Sequence, residues 1–177
     1  MDDARGISLL LITGTMGAGK SAVMAEASDL LAMRLIEHAA IDVDALGLAY
    51  VPAAQNDDAM YANLESVCTN YAGLGVRRFL LARAVESRAD LERCKVSASA
   101  DSMVVCRLTA GTATLRQRVK MREPGMLQAE FVERIEVLNA ILDRAGLEDF
   151  TLANEDRSIT EVAREMLVRA GWLCEPA

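Results

Sequence analysis

The sequence predicts a three-layer α/β/α fold whose mostly parallel sheet has about five strands. Two observations carry that expectation. Apolar runs of strand length alternate with amphipathic runs of helix length from end to end, and neither a repeat nor a low-complexity tract interrupts them. Right-handed crossovers then make neighbouring strands parallel. The 177 residues fit one domain with a well-buried core, so residues 1–177 are read as a single unit.

Between the first strand and the first helix lies Gly14-Thr15-Met16-Gly17-Ala18-Gly19-Lys20-Ser21. It follows the apolar run Ile7 to Ile12 and precedes the helix-forming run Ala22 to Met33, which is the context a G-x-x-x-x-G-K-[ST] match needs. The glycines let the backbone curl so that successive N–H groups face a phosphate at the positive end of the helix. In such a loop Lys20 reaches the β- and γ-phosphates and the Ser21 hydroxyl ligates Mg²⁺. The expected class is a P-loop NTPase fold.

Composition narrows the partners. Hydrophobic residues make up 52%, but charge breaks every apolar run well before the roughly 18 residues of a membrane span. Met1-Asp2-Asp3 carries acid where a secretory signal carries base. Cys68, Cys94, Cys106 and Cys174 form no C-x-x-C pair and read as reduced thiols. A cytoplasmic protein is expected, working as a monomer or homodimer. The net charge of -7 argues against nucleic-acid or anionic-membrane binding, but not against a nucleotide held by a local field.

Leu35 to Val43 reads as the second strand, ending in Ile41-Asp42-Val43-Asp44. Alternation places Asp42 and Asp44 on one side, beyond the carboxyl end of the sheet where ligands gather. One carboxylate can hold a metal-bound water and the other can take a proton from a substrate hydroxyl. Ala45 to Asp58 reads as a loop or short helix shaping a second-substrate pocket, and Ala59 to Ala72 as a helix with Met60, Leu64, Cys68 and Tyr71 inward. Val76 to Ala82 is the third strand. It delivers Arg83, Glu86 and Arg88 to the rim of the phosphate loop, where an arginine can bind a substrate anion and Glu86 a hydroxyl or metal water.

Met103 to Leu108 is the fourth strand, and the helix after it turns Leu115 and Val119 inward. Arg116, Arg118, Lys120 and Arg122 place four cations in seven residues before Glu123-Pro124-Gly125. A basic helix ending in a Pro-Gly break is suited to a closing lid over phosphates, here about 115–130. Arg118 and Arg122 stand one turn apart and share a face. Leu127 to Ala145 is a long amphipathic helix, Phe150 to Ala153 a fifth strand, and Thr160 to Ala170 a final helix with Val162, Met166 and Leu167 inward. His38 reads as a packed or edge residue and Trp172 as packing for the last helix.

The loop Gly14 to Ser21, the pair Asp42-x-Asp44, the basic lid helix and the late loop Asn154 to Arg157 occur in the order seen in small P-loop kinases of the shikimate, gluconate and adenylate kinase group, which the chain resembles over most of its length. Leu115 to Arg122 is similar to the gluconate kinase lid, with Arg118 and Arg122 at the matching positions. Ser87-Arg88-Ala89-Asp90-Leu91 is loosely similar to a substrate-side segment of the same kinases. The resemblance implies transfer of the γ-phosphoryl group of ATP to a hydroxyl of a small molecule. It implies that Asp42 helps place Mg²⁺ and that Asp44 positions and deprotonates the acceptor. Arg118 and Arg122 would cover the nucleotide, and Asn154 to Ile159, including Arg157, would lie near adenine. Arg83-Ala84-Val85-Glu86 stands where shikimate kinases carry three glycines, and Ala59 to Ala72 contains no arginine, so shikimate and a nucleotide are disfavoured as acceptors. A sugar acid, a nucleoside or an antibiotic remains. The alternative reading is an ATP-binding switch or accessory protein without phosphotransfer.

Overall fold

A computed structural model of the chain describes residues 6–51, 53–122 and 125–174. The strands are β1 (Ser8–Thr13), β2 (Ala39–Asp42), β3 (Arg78–Ala82), β4 (Ser102–Thr109) and β5 (Phe150–Ala153), and they form one sheet in the order β2-β3-β1-β4-β5. Every strand pair is parallel, with Leu10 opposite Leu80 on one side and Val104 on the other. The helices are α1 (Lys20–Ala32), α2 (Ala53–Gly73), α3 (Arg88–Ser97), α4 (Thr112–Arg122), α5 (Gln128–Ala145) and α6 (Ile159–Arg169).

A strand covered on both faces must be apolar at every position, and β1 is: Leu9 to Ile12 are all fully buried. Alternation splits them between two cores. Leu10 and Ile12 join Val23, Leu30, Ile135 and Met166 on the α1 and α6 side. Leu9 and Leu11 join Leu64, Phe79 and Leu91 on the α2 and α3 side. The inward positions expected in α4 and α6, Leu115, Val119, Val162, Met166 and Leu167, are all buried. Trp172 packs against the first core, and its indole N–H donates to Ser8 Oγ at 3.3 Å.

Three expectations need correction. The second strand covers only Ala39–Asp42, because Leu35 takes a left-handed conformation (φ 55°) that ends α1, with the Ile36 N–H closing onto the Leu31 carbonyl. Helix α2 starts six residues earlier than Ala59. The turn-forming run Asn56-Asp57-Asp58 is helical, with Asp58 in an exposed ion pair with Arg93 of α3 at 2.6 Å and the buried Met60 and Tyr61 one turn on; propensity is a weak prior that tertiary context overrides. Tyr71 is exposed rather than inward, since the cover over α2 gives out within its last turn; Tyr61 is buried instead.

The C-terminal ends of β1, β2 and β3 all open on one edge of the sheet, and the glycine loop and both aspartates lie there. His38 bridges Ser28 and the Ile36 carbonyl. Cys68, Cys94 and Cys106 are buried free thiols that burial holds well above the ordinary value, at about 12, 11 and 12. Cys174 is free and exposed. Among the described residues no helix is long and apolar enough to cross a membrane. Glu123 and Pro124 of the expected hinge lie outside the described residues.

Candidate active site

Strand β1 ends at Thr13, and the next six residues curl back before α1 begins at Lys20. Gly17 and Gly19 have φ of 77° and 92°, conformations that penalise a side chain. At Gly19 a Cβ would also collide with the Asn154 side-chain amide. The curl is braced from three sides. The Asn154 side chain, itself buried, donates to the Ala18 carbonyl at 2.7 Å. Arg118 of α4 donates to the carbonyls of Gly17 at 3.4 Å and Asn154 at 2.8 Å. The hydroxyl of buried Thr15 donates to the Ile135 carbonyl of α5 at 3.3 Å. Asn154 and Arg118 satisfy carbonyls of the loop and Thr15 ties it to α5, leaving the glycine loop at the N-terminus of α1, where backbone N–H groups suit an anion.

A cleft of about 530 Å³ opens in front of this loop. Gly17, Gly19, Lys20 and Ser21 line it from the loop side, with Met16 at its edge. Asp42 and Asp44 line it from the end of β2, and Arg122 from the end of α4. Ala45, Leu48, Val119 and Phe131 supply apolar walls. The Lys20 ammonium folds over the loop, donating to the Gly14 carbonyl at 3.0 Å and the Thr15 carbonyl at 3.3 Å. Burial holds its pKa below the ordinary lysine value, with Arg122 adding to the effect and Asp44 and Asp42 opposing it.

Asp42 is the last residue of β2 and accepts a hydrogen bond from Ser21 Oγ at 2.5 Å. A hydroxyl and a carboxylate side by side at the foot of the loop are hard oxygen donors. They fit Mg²⁺, which takes one or two protein oxygens and completes its shell with phosphate and water. Among the described residues no group of three or more His, Cys, Asp or Glu could form an all-protein metal cage.

Asp44 begins a short 3-10 turn over Asp44–Gly47. Its carboxylate accepts from Arg83 Nη1 at 3.1 Å. Burial raises its pKa, Lys20 and Arg83 pull it back, and Asp42 raises it again. More than half of its side-chain surface still faces the cleft, so water or a ligand moderates that shift. Arg83 is largely buried and lies over the ring of Tyr61, 5.3 Å from its centroid, while Arg93 covers the same ring at 4.0 Å. Burial, reinforced by the side chain of Cys94, raises the Tyr61 hydroxyl pKa well above its ordinary value.

The structure thus brings together the loop, Asp42, Asp44, Arg118 and Arg122, with Arg83 behind Asp44. It does not bring in the others. Glu86 pairs with Arg134 at 3.2 Å, Arg157 with Glu165 at 2.6 Å, and Arg88 is an exposed residue at the start of α3. None of the three lines the cleft. Asn154 faces the loop backbone through its amide. Two features went unread in the sequence. Leu48 and Phe131 carry no periodic signal separating a cleft wall from an ordinary apolar position, and the Arg83–Asp44 pair joins residues 39 apart.

A glycine loop between the central strand and its helix, on a parallel sheet of order β2-β3-β1-β4-β5, defines a P-loop NTPase fold. Comparison narrows the class. No family model and no curated protein matches the chain. Solved structures do. A gluconokinase from Sinorhizobium meliloti 1021 matches with a TM-score of 0.62 at 17% identity, over 97% of this chain and 95% of its own. A shikimate kinase from Bacteroides thetaiotaomicron matches at 0.62 and 17%, over 94% and 99%. A tunicamycin resistance protein from Deinococcus radiodurans matches at 0.64 and 12%, over 97% and 99%. The chain has the fold of the shikimate and gluconate kinase-like P-loop kinases.

Proposed function

We propose that this chain is a Mg-ATP-dependent phosphotransferase whose acceptor is a hydroxyl of a small molecule: a metabolite, sugar acid, nucleoside or antibiotic. The observation that carries the reading is the shared cleft. Phosphate-side groups (Lys20, Ser21, Arg122) and an acidic pair (Asp42, Asp44) line the same hollow. A site that only binds a nucleotide has no need of a base on the far side of the phosphates.

In this reading the loop amides of residues 14–21 and Lys20 hold the phosphate chain. Ser21 and Asp42 hold Mg²⁺, which neutralises charge on the phosphates when bound. Arg118 fixes the loop and Arg122 faces the transferring group. Asp44 orients the acceptor and takes its proton as the acceptor oxygen bonds to the γ-phosphorus. The bond from that phosphorus to the β–γ bridging oxygen breaks, and ADP leaves with the electron pair. Residues 1–177 act as one unit, with about 115–130 as the lid that excludes water. Arg83 serves the acceptor side through Asp44. Glu86 and Arg88 on the acceptor side, and Arg157 near adenine, stand outside the cleft lining and belong to the same reading.

The test is Asp44→Asn. Acceptor-dependent ADP release should fall by about two to four orders of magnitude, the usual contribution of a positioned base. Mg-ATP affinity, read by calorimetry, should change little. Equal ADP release by the variant and the parent would refute the assignment. Nucleotide-dependent capture of a partner, without any phosphorylated product, would favour a switch.

A further inference from the structure

The acceptor half of the cleft has a chemical character of its own, and the inference drawn from it rests on the phosphotransferase reading above. Its charged groups are Asp42 and Asp44 on the β2 side, Lys20 and Arg122 on the phosphate side. Lys20 is turned onto the loop carbonyls. Arg83 is the cation nearest Asp44, and that carboxylate already engages it at 3.1 Å. An anionic acceptor reaching for Arg83 would take it from Asp44 and leave three carboxylates crowding one small space. Repulsion of that kind is an effective device for rejecting a ligand.

The remaining surface is hydrocarbon. Ala45 and Leu48 line the cleft from the turn after β2, and Val119 and Phe131 line it from α4 and α5. Leu48 is 87% exposed although it lines the cleft, so its side chain stands uncovered at the mouth. A single exposed leucine is ordinary, but this one belongs to the lining of a cleft that also holds Ala45, Val119 and Phe131. Phe131, which shares the cleft with it, is itself only partly buried. A concave site lined by apolar side chains beside a few polar groups is the usual form of a small-molecule pocket.

We propose that the acceptor is an uncharged alcohol with an apolar body, such as an aryl or branched-alkyl alcohol, rather than a sugar acid or another anion. Its hydroxyl meets Asp44 while its hydrocarbon body lies between Leu48 and Phe131. The transfer is the one already written: the alcohol oxygen gains the phosphoryl group, Asp44 gains the proton, and ADP departs.

The experiment compares acceptors that share a skeleton. The probes are phenyllactate, its diol analogue with the carboxylate reduced to CH2OH, the amino-alcohol analogue with CH2NH3⁺, and the pair gluconate and glucitol. Each is added to the full chain with Mg-ATP for ADP release, and with Mg-ADP for NMR shifts at Leu48 and Phe131. The aryl diol should shift both residues and release ADP about tenfold or more faster than phenyllactate or the amino alcohol. Leu48→Asp, at an exposed position that spares the core, should raise KM for the diol by about tenfold or more. Preference for gluconate, glucitol, phenyllactate or the amine overturns the proposal, as does a diol that leaves Leu48 and Phe131 unmoved. A diol that binds there in preference to the others but releases no ADP upholds an uncharged apolar alcohol as the ligand of the cleft and refutes phosphotransfer to it. Failure of Mg-ATP to bind refutes the reading of the loop instead.

Discussion

At the scale of single residues, the glycine loop depends on side chains remote in sequence. Asn154 is the clearest case, because its amide satisfies the Ala18 carbonyl in a buried position 136 residues away. Asn154→Ala should cost about 1–3 kcal/mol in a denaturant titration, the penalty for orphaning a buried polar group, and should weaken Mg-ATP binding. Unchanged stability and unchanged affinity would show that the brace is dispensable. Asp44 gives a prediction in pH. Burial places its folded value above the ordinary 3.8, so it becomes protonated earlier than a solvent-exposed aspartate as acid is added. The acid limb of kcat/KM should therefore lie above that value, and Arg83→Gln should move it further up. The sign for stability is opposite. A carboxyl whose folded pKa is raised favours folding below its unfolded pKa, and that contribution fades as pH rises through the folded value.

At the scale of elements, each helix is fixed by a face and an end that can be tested separately. Helix α6 starts with a capping box: Ser158 accepts from the Glu161 N–H at 3.2 Å, and the Glu161 carboxylate accepts from the Ser158 N–H at 2.9 Å. Ser158→Ala should lower stability by about 1 kcal/mol without altering nucleotide binding. Leu64→Ala in α2, which empties a fully buried position between α2 and the sheet, should cost about 2–5 kcal/mol. The elements also show what the sequence could reveal. Strong periodicity and capping made α5, α6, β4 and β5 legible to within a residue or two. The start of α2 was not legible, because Asn56-Asp57-Asp58 favours a turn locally, yet the run is helical and Asp58 reaches Arg93 of α3. The end of β2 was read well, since Asp42 and Asp44 do share the cleft; its beginning was not, because Leu35 adopts a conformation rare for leucine. Of the candidate site, Gly17, Gly19, Lys20 and Ser21 of the local motif line one cleft with Asp42 and Asp44. Glu86 and Arg157 do not line that cleft, and their ion partners, Arg134 and Glu165, were not legible because those pairings are made by the fold.

At the scale of the whole molecule, binding and folding are linked. If Mg-ATP engages only the folded state, a concentration one hundred times its Kd should add about 2.7 kcal/mol to the unfolding free energy, visible as a shifted denaturation midpoint. Lys20→Ala should abolish most of that shift. An identical midpoint with and without nucleotide in the parent protein would contradict a triphosphate site. The central position of β1 carries a last consequence. Its amides between Leu9 and Ile12 are locked to β3 on one flank and β4 on the other, so they should be among the slowest in the protein to trade hydrogen for deuterium. The cradle that follows Thr13 is therefore hung from the segment that yields last, and an arriving polyphosphate meets a receptacle already set rather than one it must first assemble.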